Sequence, residues 1–244
     1  MEVAHLQPLS LLDYPGKTAA VAWTVGCNLR CPFCYNAELV LPELGRDLPR
    51  LPGEEVAARL EERVGFLEGV VVTGGEPTLH SDLVAFIGRL KEAGFFVKLD
   101  TNGTHPHVLR VLLADGLVDY VALDVKAPFA RYPEFTGLRP SDHGTGELAA
   151  DLVARVQESI ALVRDRAPDY EFRTTVAPGL APDDLLSIAH EIRGARRYVL
   201  QPFFVPDGKR LVDEAWPGRP ALSLDPLRAL LPELRKLVST ELRG

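Results

Sequence analysis

The sequence predicts an α/β fold: a partial (β/α)6 TIM-type barrel, with six parallel strands and incomplete closure. Short apolar runs alternate with helical patterns along the 244 residues, and strands that alternate with helices pair in parallel through right-handed crossovers. The runs are continuously apolar, as expected for strands that are covered on both faces. Because 46% of the residues are hydrophobic, the chain can bury the core of one such domain.

The predicted elements follow one another in a regular order. A first strand leads into a loop that contains every cysteine, and a Pro-rich stretch at 41–52 follows. The next strand is a run of valines that ends in Gly74 and Gly75, and one later helix has Pro106 in its first turn, where proline is favoured. Strands are predicted at 18–25, 69–73, 95–99, 118–123, 170–176 and 198–201. Helices are predicted at 53–66, 81–93, 105–114, 147–164, 183–193 and 226–242.

We expect a single domain over residues 1–244, with the barrel core at 17–204. Residues 205–244 then form a C-terminal extension, whose amphipathic last helix is expected to close the end of the barrel. The irregular segment 127–146 is longer than an ordinary connection, and loops of that length are commonly functional. Its aromatic residues (Phe129, Tyr132 and Phe135) form either a docking lip for a partner or a loop packed on itself.

Composition excludes several classes of function. The chain has 27 basic and 34 acidic residues, a net charge of -7 and a pI near 5.4, which is a poor footprint for binding nucleic acid. No apolar run reaches the ~18 residues of a membrane-spanning helix. Three clustered cysteines make no disulfide framework, which favours a reducing compartment. We therefore expect a cytoplasmic protein with neither a nucleic-acid nor a membrane partner.

The cysteines are the strongest chemical signal in the sequence. Cys27, Cys31 and Cys34 lie within eight positions, and the chain has no fourth cysteine. Three thiolates can hold three corners of a 4Fe-4S cluster and leave one iron open for chemistry. A zinc site is an alternative, but it normally needs a fourth protein ligand, and no histidine has ligand-like spacing to the cysteines. Three ordinary buried thiols are a second alternative.

Polar groups collect where a parallel barrel places its functional residues, at the carboxyl ends of the strands. Two glycines at a strand end let the backbone approach a neighbour closely, because no Cβ intervenes. Taken alone, the first of these segments also fits a β-turn, and the second fits an Asx turn. The segments are Gly74-Gly75-Glu76-Pro77, Asp100-Thr101-Asn102-Gly103, Asp124-Val125-Lys126 and Gln201-Pro202-Phe203.

The cysteine spacing, with Phe33 before the last cysteine, resembles the signature of radical S-adenosylmethionine (SAM) enzymes. The resemblance becomes specific when the cysteines are joined to Gly74-Gly75-Glu76-Pro77, which is similar to that superfamily's GGEP motif. It implies the radical SAM core fold and an open iron that binds SAM. It also implies reductive cleavage of SAM to a 5′-deoxyadenosyl radical, with Phe33, Gly74, Gly75 and Glu76 as cofactor-binding residues.

Within this superfamily, the D-T-N-G and D-x-K segments resemble those of the activases of glycyl-radical enzymes. The resemblance implies that Asp100, Asn102, Asp124 and Arg173 bind the cofactor, that Lys126 is a catalytic cation, and that the site can accept a monovalent cation. Segments 10–17, 34–36, 120–128, 173–176 and 198–203 are similar to activases of anaerobic ribonucleotide reductase. The implied partners are that enzyme's large glycyl-radical subunit and a flavodoxin- or ferredoxin-type electron donor.

The sequence also departs from some members of this group. Tyr35 stands where a histidine is frequent, and Phe203-Phe204 replaces an aromatic-histidine pair of pyruvate formate-lyase activases. Three alternatives therefore stay open. The first is a pyruvate formate-lyase-type activase, and the second is a small-molecule radical SAM enzyme resembling 7-carboxy-7-deazaguanine synthase. The third is a zinc or iron–sulfur module without catalysis.

Overall fold

The structure, a computed structural model, describes residues 1–138 and 145–243. The strands are β1 (Glu2–Ser10), β2 (Ala19–Thr24), β3 (Leu51–Pro52), β4 (Gly69–Gly74), β5 (Phe96–Thr101), β6 (Tyr120–Asp124), β7 (Asp169–Val176), β8 (Tyr198–Pro202) and β9 (Thr240–Leu242). The helices are α1 (Ala37–Val40), α2 (Gly53–Glu61), α3 (Leu83–Glu92), α4 (Pro106–Ala114), α5 (Tyr132–Thr136), α6 (Thr145–Arg166), α7 (Pro182–Glu191) and α8 (Leu224–Leu234). Within the described ranges, no helix is long and apolar enough to cross a membrane.

All six predicted strands are present and lie side by side. They are β2, β4, β5, β6, β7 and β8, and each pairs in parallel with the next. The outer edges of this set pair with other strands, β2 with antiparallel β1 and β8 with parallel β9. The parallel barrel is therefore incompletely closed, as the sequence predicts.

The two faces of the sheet carry separate apolar clusters. Successive valines of β4 alternate between them: Val70 and Val72 belong to the larger cluster that includes residues of the helices, and Val71 belongs to a smaller one. The smaller cluster contains Tyr14 and Tyr120, whose ring centroids are 6.0 Å apart. Tyr14 also packs against the first residue of β4, because a Cβ added to Gly69 would lie 3.1 Å from its Cδ1. Tyr14 therefore fills the amino-terminal end of the barrel interior.

The chain ends differ from the sequence prediction. β1 was not predicted, because Pro8 and two register shifts interrupt its alternation, and proline is tolerated on such outer strands. The last predicted helix, 226–242, is wrong at its end, since α8 stops at Leu234 and β9 follows. Thr240 in β9 is β-branched, and Tyr198 N donates to Ser239 O at 2.8 Å, so pairing with β8 replaces the last helical turns.

The irregular segment predicted at 127–146 is only partly irregular. A 3₁₀ turn at Phe129–Arg131 leads into α5, and Tyr132 and Phe135 are fully buried. Their burial supports the alternative in which the loop packs on itself, so these two rings do not form a docking lip. Residues 139–144 of the predicted segment lie outside the described residues.

Candidate active site

The cysteine loop lies between the end of β2 and α1. Cys31 is buried, and Cys27 and Cys34 are half-buried. Neighbouring elements fix the loop through its backbone: Arg30 N donates to Thr136 O at 3.0 Å, and Gly26 N donates to Leu39 O at 2.8 Å. The loop is therefore anchored at its start and in its middle by elements on both sides.

All twelve residues that the sequence assigns to the site lie around one cavity of about 260 Å³. The strand ends of β4, β5, β6 and β7 form its floor, and the cysteine loop forms a wall. These residues are Cys27, Cys31, Phe33, Cys34, Gly74, Gly75, Glu76, Asp100, Asn102, Asp124, Lys126 and Arg173. The cavity has further lining that the sequence interpretation did not assign: Asp13, Trp23, Leu29, Tyr35, Asn36, Val40, Thr73, Thr101, Thr175 and Gln201.

Some of that missed lining had a detectable signal. Trp23, Thr73 and Thr175 lie within two residues of the predicted carboxyl ends of their strands, so the rule that located Asp100 also applies to them. Gln201 was named with its strand-end segment but was given no role in the site. Asp13 comes from the loop before β2 and has no such signal. Asp13 precedes the buried Tyr14 in this loop, and only the folded position of the loop brings Asp13 to the cavity.

The two glycines of the GGEP segment allow close packing between two strand ends. Gly74 has a φ of 123°, and a Cβ on Gly75 would overlap the carbonyl oxygen of Gly26. This contact is closed by two hydrogen bonds, from Gly75 N to Thr24 O at 2.9 Å and from Glu76 N to Gly26 O at 2.7 Å. The glycines therefore bring the end of β4 against the start of the cysteine loop.

Glu76 connects the end of β4 to the end of β5. Its carboxylate is fully buried and accepts from Thr101 Oγ1 at 2.8 Å and from Asn102 N at 2.7 Å. Thr78 donates to the same carboxylate from its backbone and its hydroxyl group. Burial raises the pKa of Glu76, while these hydrogen bonds act in the opposite direction. The observed contacts of this carboxylate are all with the protein.

A polar network connects the cysteine loop to the segment after β5. Asn102 Nδ2 donates to Asn28 Oδ1 at 3.0 Å, and Asn28 Nδ2 donates to Thr104 Oγ1 at 2.9 Å. Asn102 Nδ2 also lies 3.9 Å from Cys27 Sγ. The D-T-N-G segment therefore has a structural role, because it positions the first cysteine.

Five charged side chains form a chain across the cavity floor. Arg173 bridges the two carboxylates: its Nη1 is 3.1 Å from Asp100 Oδ2, and its Nε is 2.9 Å from Asp124 Oδ1. Each carboxylate has a second cationic partner, Lys98 for Asp100 and Lys126 for Asp124. This network has three positive and two negative charges, and the cavity is also lined by the carboxylates of Asp13 and Glu76.

Burial dominates the acid–base properties of the thiols. It raises the pKa of Cys27 to about 11 and of Cys31 to about 12, and the charge of Lys126 opposes this effect. Iron bonded to these sulfurs would stabilise the thiolate form directly, as metals do for coordinating thiols. Within residues 1–138 and 145–243, no three His, Cys, Asp or Glu side chains are grouped to hold a single metal ion. In a cubane cluster each cysteine binds a different iron, so its three thiolates need not converge on one point.

The side chain of Phe33 lines the cavity and also packs against α5. Its side chain is buried, and its ring centroid is 6.2 Å from that of Phe135 in α5. Phe135 in turn packs edge-on against Trp216, with 5.4 Å between centroids. The aromatic residue before the last cysteine thus anchors the loop to α5.

Comparison with known proteins agrees with this arrangement. Residues 21–192 match the family model described as the radical SAM superfamily, and the chain therefore belongs to the radical SAM superfamily. It is 36% identical over 230 residues to a protein of Methanocaldococcus jannaschii that is provisionally named a glycyl-radical enzyme activating enzyme. That alignment covers 93% of this chain and 89% of the relative.

The chain is also similar to a second relative and to a solved structure. The chain is 28% identical over 195 residues to the 7-carboxy-7-deazaguanine synthase of Thermococcus kodakarensis, covering 72% of this chain and 71% of that protein. The crystal structure of Streptococcus suis SuiB bound to the precursor peptide SuiA superposes with a TM-score of 0.69 at 14% identity. That superposition covers 92% of this chain and 48% of SuiB, so the chain spans about half the length of SuiB and the similarity concerns the fold alone.

Proposed function

We propose that this protein is an activase that installs a glycyl radical on a large partner enzyme, with the anaerobic ribonucleotide reductase as that partner. The observation that carries the proposal is the single cavity in which three cysteines face a glycine-rich strand end and a network of paired charged side chains. The 36% identity to a provisionally named activating enzyme over most of both chains supports the activase class.

In this proposal, Cys27, Cys31 and Cys34 hold a 4Fe-4S cluster, and the remaining iron is left for SAM. When bound, the cluster and SAM would supply the 5′-deoxyadenosyl radical, which takes a hydrogen atom from the Cα of a glycine in the partner. Gly74, Gly75 and Glu76 lie at one strand end beside this position. Gly75 N and Glu76 N already donate to backbone oxygens, so in this proposal backbone carbonyl oxygens at this strand end accept from the ammonium group of SAM.

One cation of this network complements the negative charge of the cysteine loop. The charge of Lys126 acts to lower the pKa of Cys27, Cys31 and Cys34, which favours their thiolate forms. Asp100 and Asp124 are each paired with two cationic side chains, so the proposal does not require the monovalent cation. In this proposal Lys126 is the catalytic cation. Its ion pair with Asp124 holds the ammonium group beside the cysteines.

The direct test is radical formation on the partner. Reconstituted protein, SAM, a reductant and the purified large reductase subunit would be incubated without oxygen, and electron paramagnetic resonance would be recorded. We expect the doublet of a glycyl radical, together with 5′-deoxyadenosine. In Cys31→Ser, iron content, absorption near ~400 nm and SAM cleavage should all be lost. Cleavage of SAM without a protein radical on this subunit would contradict the proposal.

The 7-carboxy-7-deazaguanine synthase relative favours one alternative, a radical SAM enzyme for a small molecule. In that case, SAM cleavage would depend on a small heterocyclic substrate, and no protein radical would form. A pyruvate formate-lyase-type activase would instead give the doublet with pyruvate formate-lyase and not with the reductase. A non-catalytic zinc or iron–sulfur module would not cleave SAM at all.

A further inference from the structure

Two aromatic side chains stack at the rim of the cavity. The ring centroids of Tyr35 and Phe204 are 6.0 Å apart, with 37° between their planes. Tyr35 lines the cavity that contains the cysteines, and Phe204 remains 63% exposed. The stack connects the segment after the last cysteine to the segment after β8, so it borders the entrance from two sides.

A groove of about 430 Å³ begins at the same rim. Trp23, Tyr35 and Asn36 line both the cavity and the groove, so the two spaces are neighbours that share a wall. The remaining walls come from β1, from α1, from the Pro-rich segment and from a residue of the C-terminal extension. This lining consists of Ala4, His5, Gln7, Glu38, Leu39, Leu48, Pro49 and Lys209.

The charge of the groove indicates what it can bind. Glu38 and Lys209 form an ion pair with each other, so these two charges cancel within the wall. The other lining residues are apolar or uncharged polar, apart from His5. The groove therefore suits an uncharged segment. A ligand confined to the cavity would leave both the groove and Phe204 uncovered, whereas an extended chain that reaches the cysteines through the groove covers both.

We infer that the Tyr35–Phe204 pair is a specificity-determining element, which selects an uncharged, extended polypeptide segment of the partner. This inference rests on the proposed function, because it assumes a polypeptide substrate. The segment lies along the groove and packs on the exposed face of Phe204, which orients it toward the cavity. Aromatic residues, phenylalanine among them, are enriched at protein interfaces relative to the rest of the surface.

The test compares Phe204→Ser with two matched variants. Phe66→Ser removes an equally exposed phenylalanine (62%) three residues before β4, at the opposite end of the strands. Phe204→Tyr keeps the ring and the stack. Binding of each cluster-free protein to the purified large reductase subunit is measured by biolayer interferometry. The KM for the subunit and kcat are then measured with reconstituted protein from the glycyl-radical signal.

For Phe204→Ser, we expect the dissociation constant and the KM to rise about tenfold, with kcat changed less than twofold. Phe66→Ser and Phe204→Tyr should remain within twofold of wild type. A Phe204→Ser protein that binds like wild type, or that loses kcat at constant KM, would overturn the inference. If the wild-type protein itself neither binds nor activates the subunit, the proposed function fails instead, so the two failures are distinguishable.

Discussion

Asp100 and Asp124 stay ionised at the cavity because each carboxylate is paired with cationic side chains. Burial acts to raise the pKa of Asp124, but Arg173 and Lys126 outweigh it and hold that pKa at about 2. Burial likewise opposes the ionisation of Asp100, and Arg173 and Lys98 more than compensate, so its pKa is also lowered. Both carboxylates are therefore ionised at neutral pH, and Lys126 is the cation of the network whose charge acts on the three cysteines.

This network predicts a specific pH dependence of stability. The pKa of Asp124 is about 2 in the folded protein against an ordinary 3.8, so the unfolded state binds the proton more readily. The stabilisation is complete above pH ~4 and is lost as the pH falls through ~2, with a total of about 2 kcal/mol. For Asp124→Asn, the deficit in free energy of unfolding relative to wild type should shrink by about 1 kcal/mol between pH 6 and pH 3.

Urea unfolding of the cluster-free proteins at both pH values measures this effect. Asp225→Asn is the control, because that carboxylate is 93% exposed on α8, and its curve should run parallel to wild type. A deficit for Asp124→Asn that is the same at both pH values would show that the carboxylate contributes through packing or hydrogen bonding and not through its charge.

Gly75 is the residue where the smallest change should have a large effect. In Gly75→Ala, the added Cβ would overlap backbone atoms of Gly26, and backbone cannot move aside as a flexible side chain can. We expect a loss of about 3 kcal/mol in the free energy of unfolding, together with poor cluster incorporation. Gly88→Ala in α3 is the control, since nothing lies within 4 Å of its Cβ. That change should be neutral or stabilising by up to about 1 kcal/mol.

At the scale of elements, the cysteine loop is held by segments that are distant in sequence. Besides α5, the C-terminal extension contributes two backbone donors: Val212 N to Cys34 O and Asp213 N to Pro32 O, both at 3.0 Å. The extension therefore holds the backbone of the loop on both sides of Phe33, the residue whose ring packs on α5. The sequence analysis predicted only that the extension closes the end of the barrel, and it did not predict that the extension contacts the cysteine loop.

Proline at position 212 tests that role. Val212→Pro removes the N–H that donates to Cys34 O, whereas Val212→Ala keeps the N–H and removes most of the side chain. We expect Val212→Pro to retain markedly less iron and sulfide after gel filtration, and to lose its visible absorption faster in air, while Val212→Ala resembles wild type. Equal cluster retention in the two variants would show that this hydrogen bond does not position the loop.

At the scale of the whole molecule, β9 extends the sheet beside β8 and brings a C-terminal arginine to a buried carboxylate. Arg243 follows β9 and donates from Nη1 and Nη2 to the two carboxylate oxygens of Glu171, each at 2.9 Å. Glu171 is fully buried in β7 and also accepts from Tyr120 Oη at 2.8 Å. One arginine beside the end of the chain thus neutralises a carboxylate buried in the sheet.

Removing that arginine should destabilise the entire barrel. Arg243→Ala leaves the Glu171 carboxylate buried without its cation, which should cost about 2 to 3 kcal/mol, a loss that thermal or urea unfolding can measure. Arg228→Ala is the matched control. It removes an arginine that is 65% exposed and paired with the exposed Asp225, so its effect should stay below ~0.5 kcal/mol. Similar unfolding curves for the two variants would contradict a stabilising role for Arg243.

Much of this architecture could be predicted from local patterns. Continuous apolar runs located the six parallel strands, because burial on both faces leaves that pattern in the sequence. The ends of the chain were harder to predict. β1 carries a proline and two register shifts, and β9 has three residues, so neither has a period long enough to detect.

Local sequence was enough to identify three cysteines in one loop and the polar residues that follow the strands. Parallel strands bring their carboxyl ends to one edge, so the strand-end residues could be expected around one cavity, whereas Phe33 and Arg173 were assigned only through the family resemblance. The contacts between these segments came from the tertiary structure alone. It showed Gly75 packed against Gly26, Glu76 tied to β5, and Tyr35 stacked on Phe204. These contacts depend on the distances between segments far apart in sequence, and those distances are fixed only when the sheet is assembled.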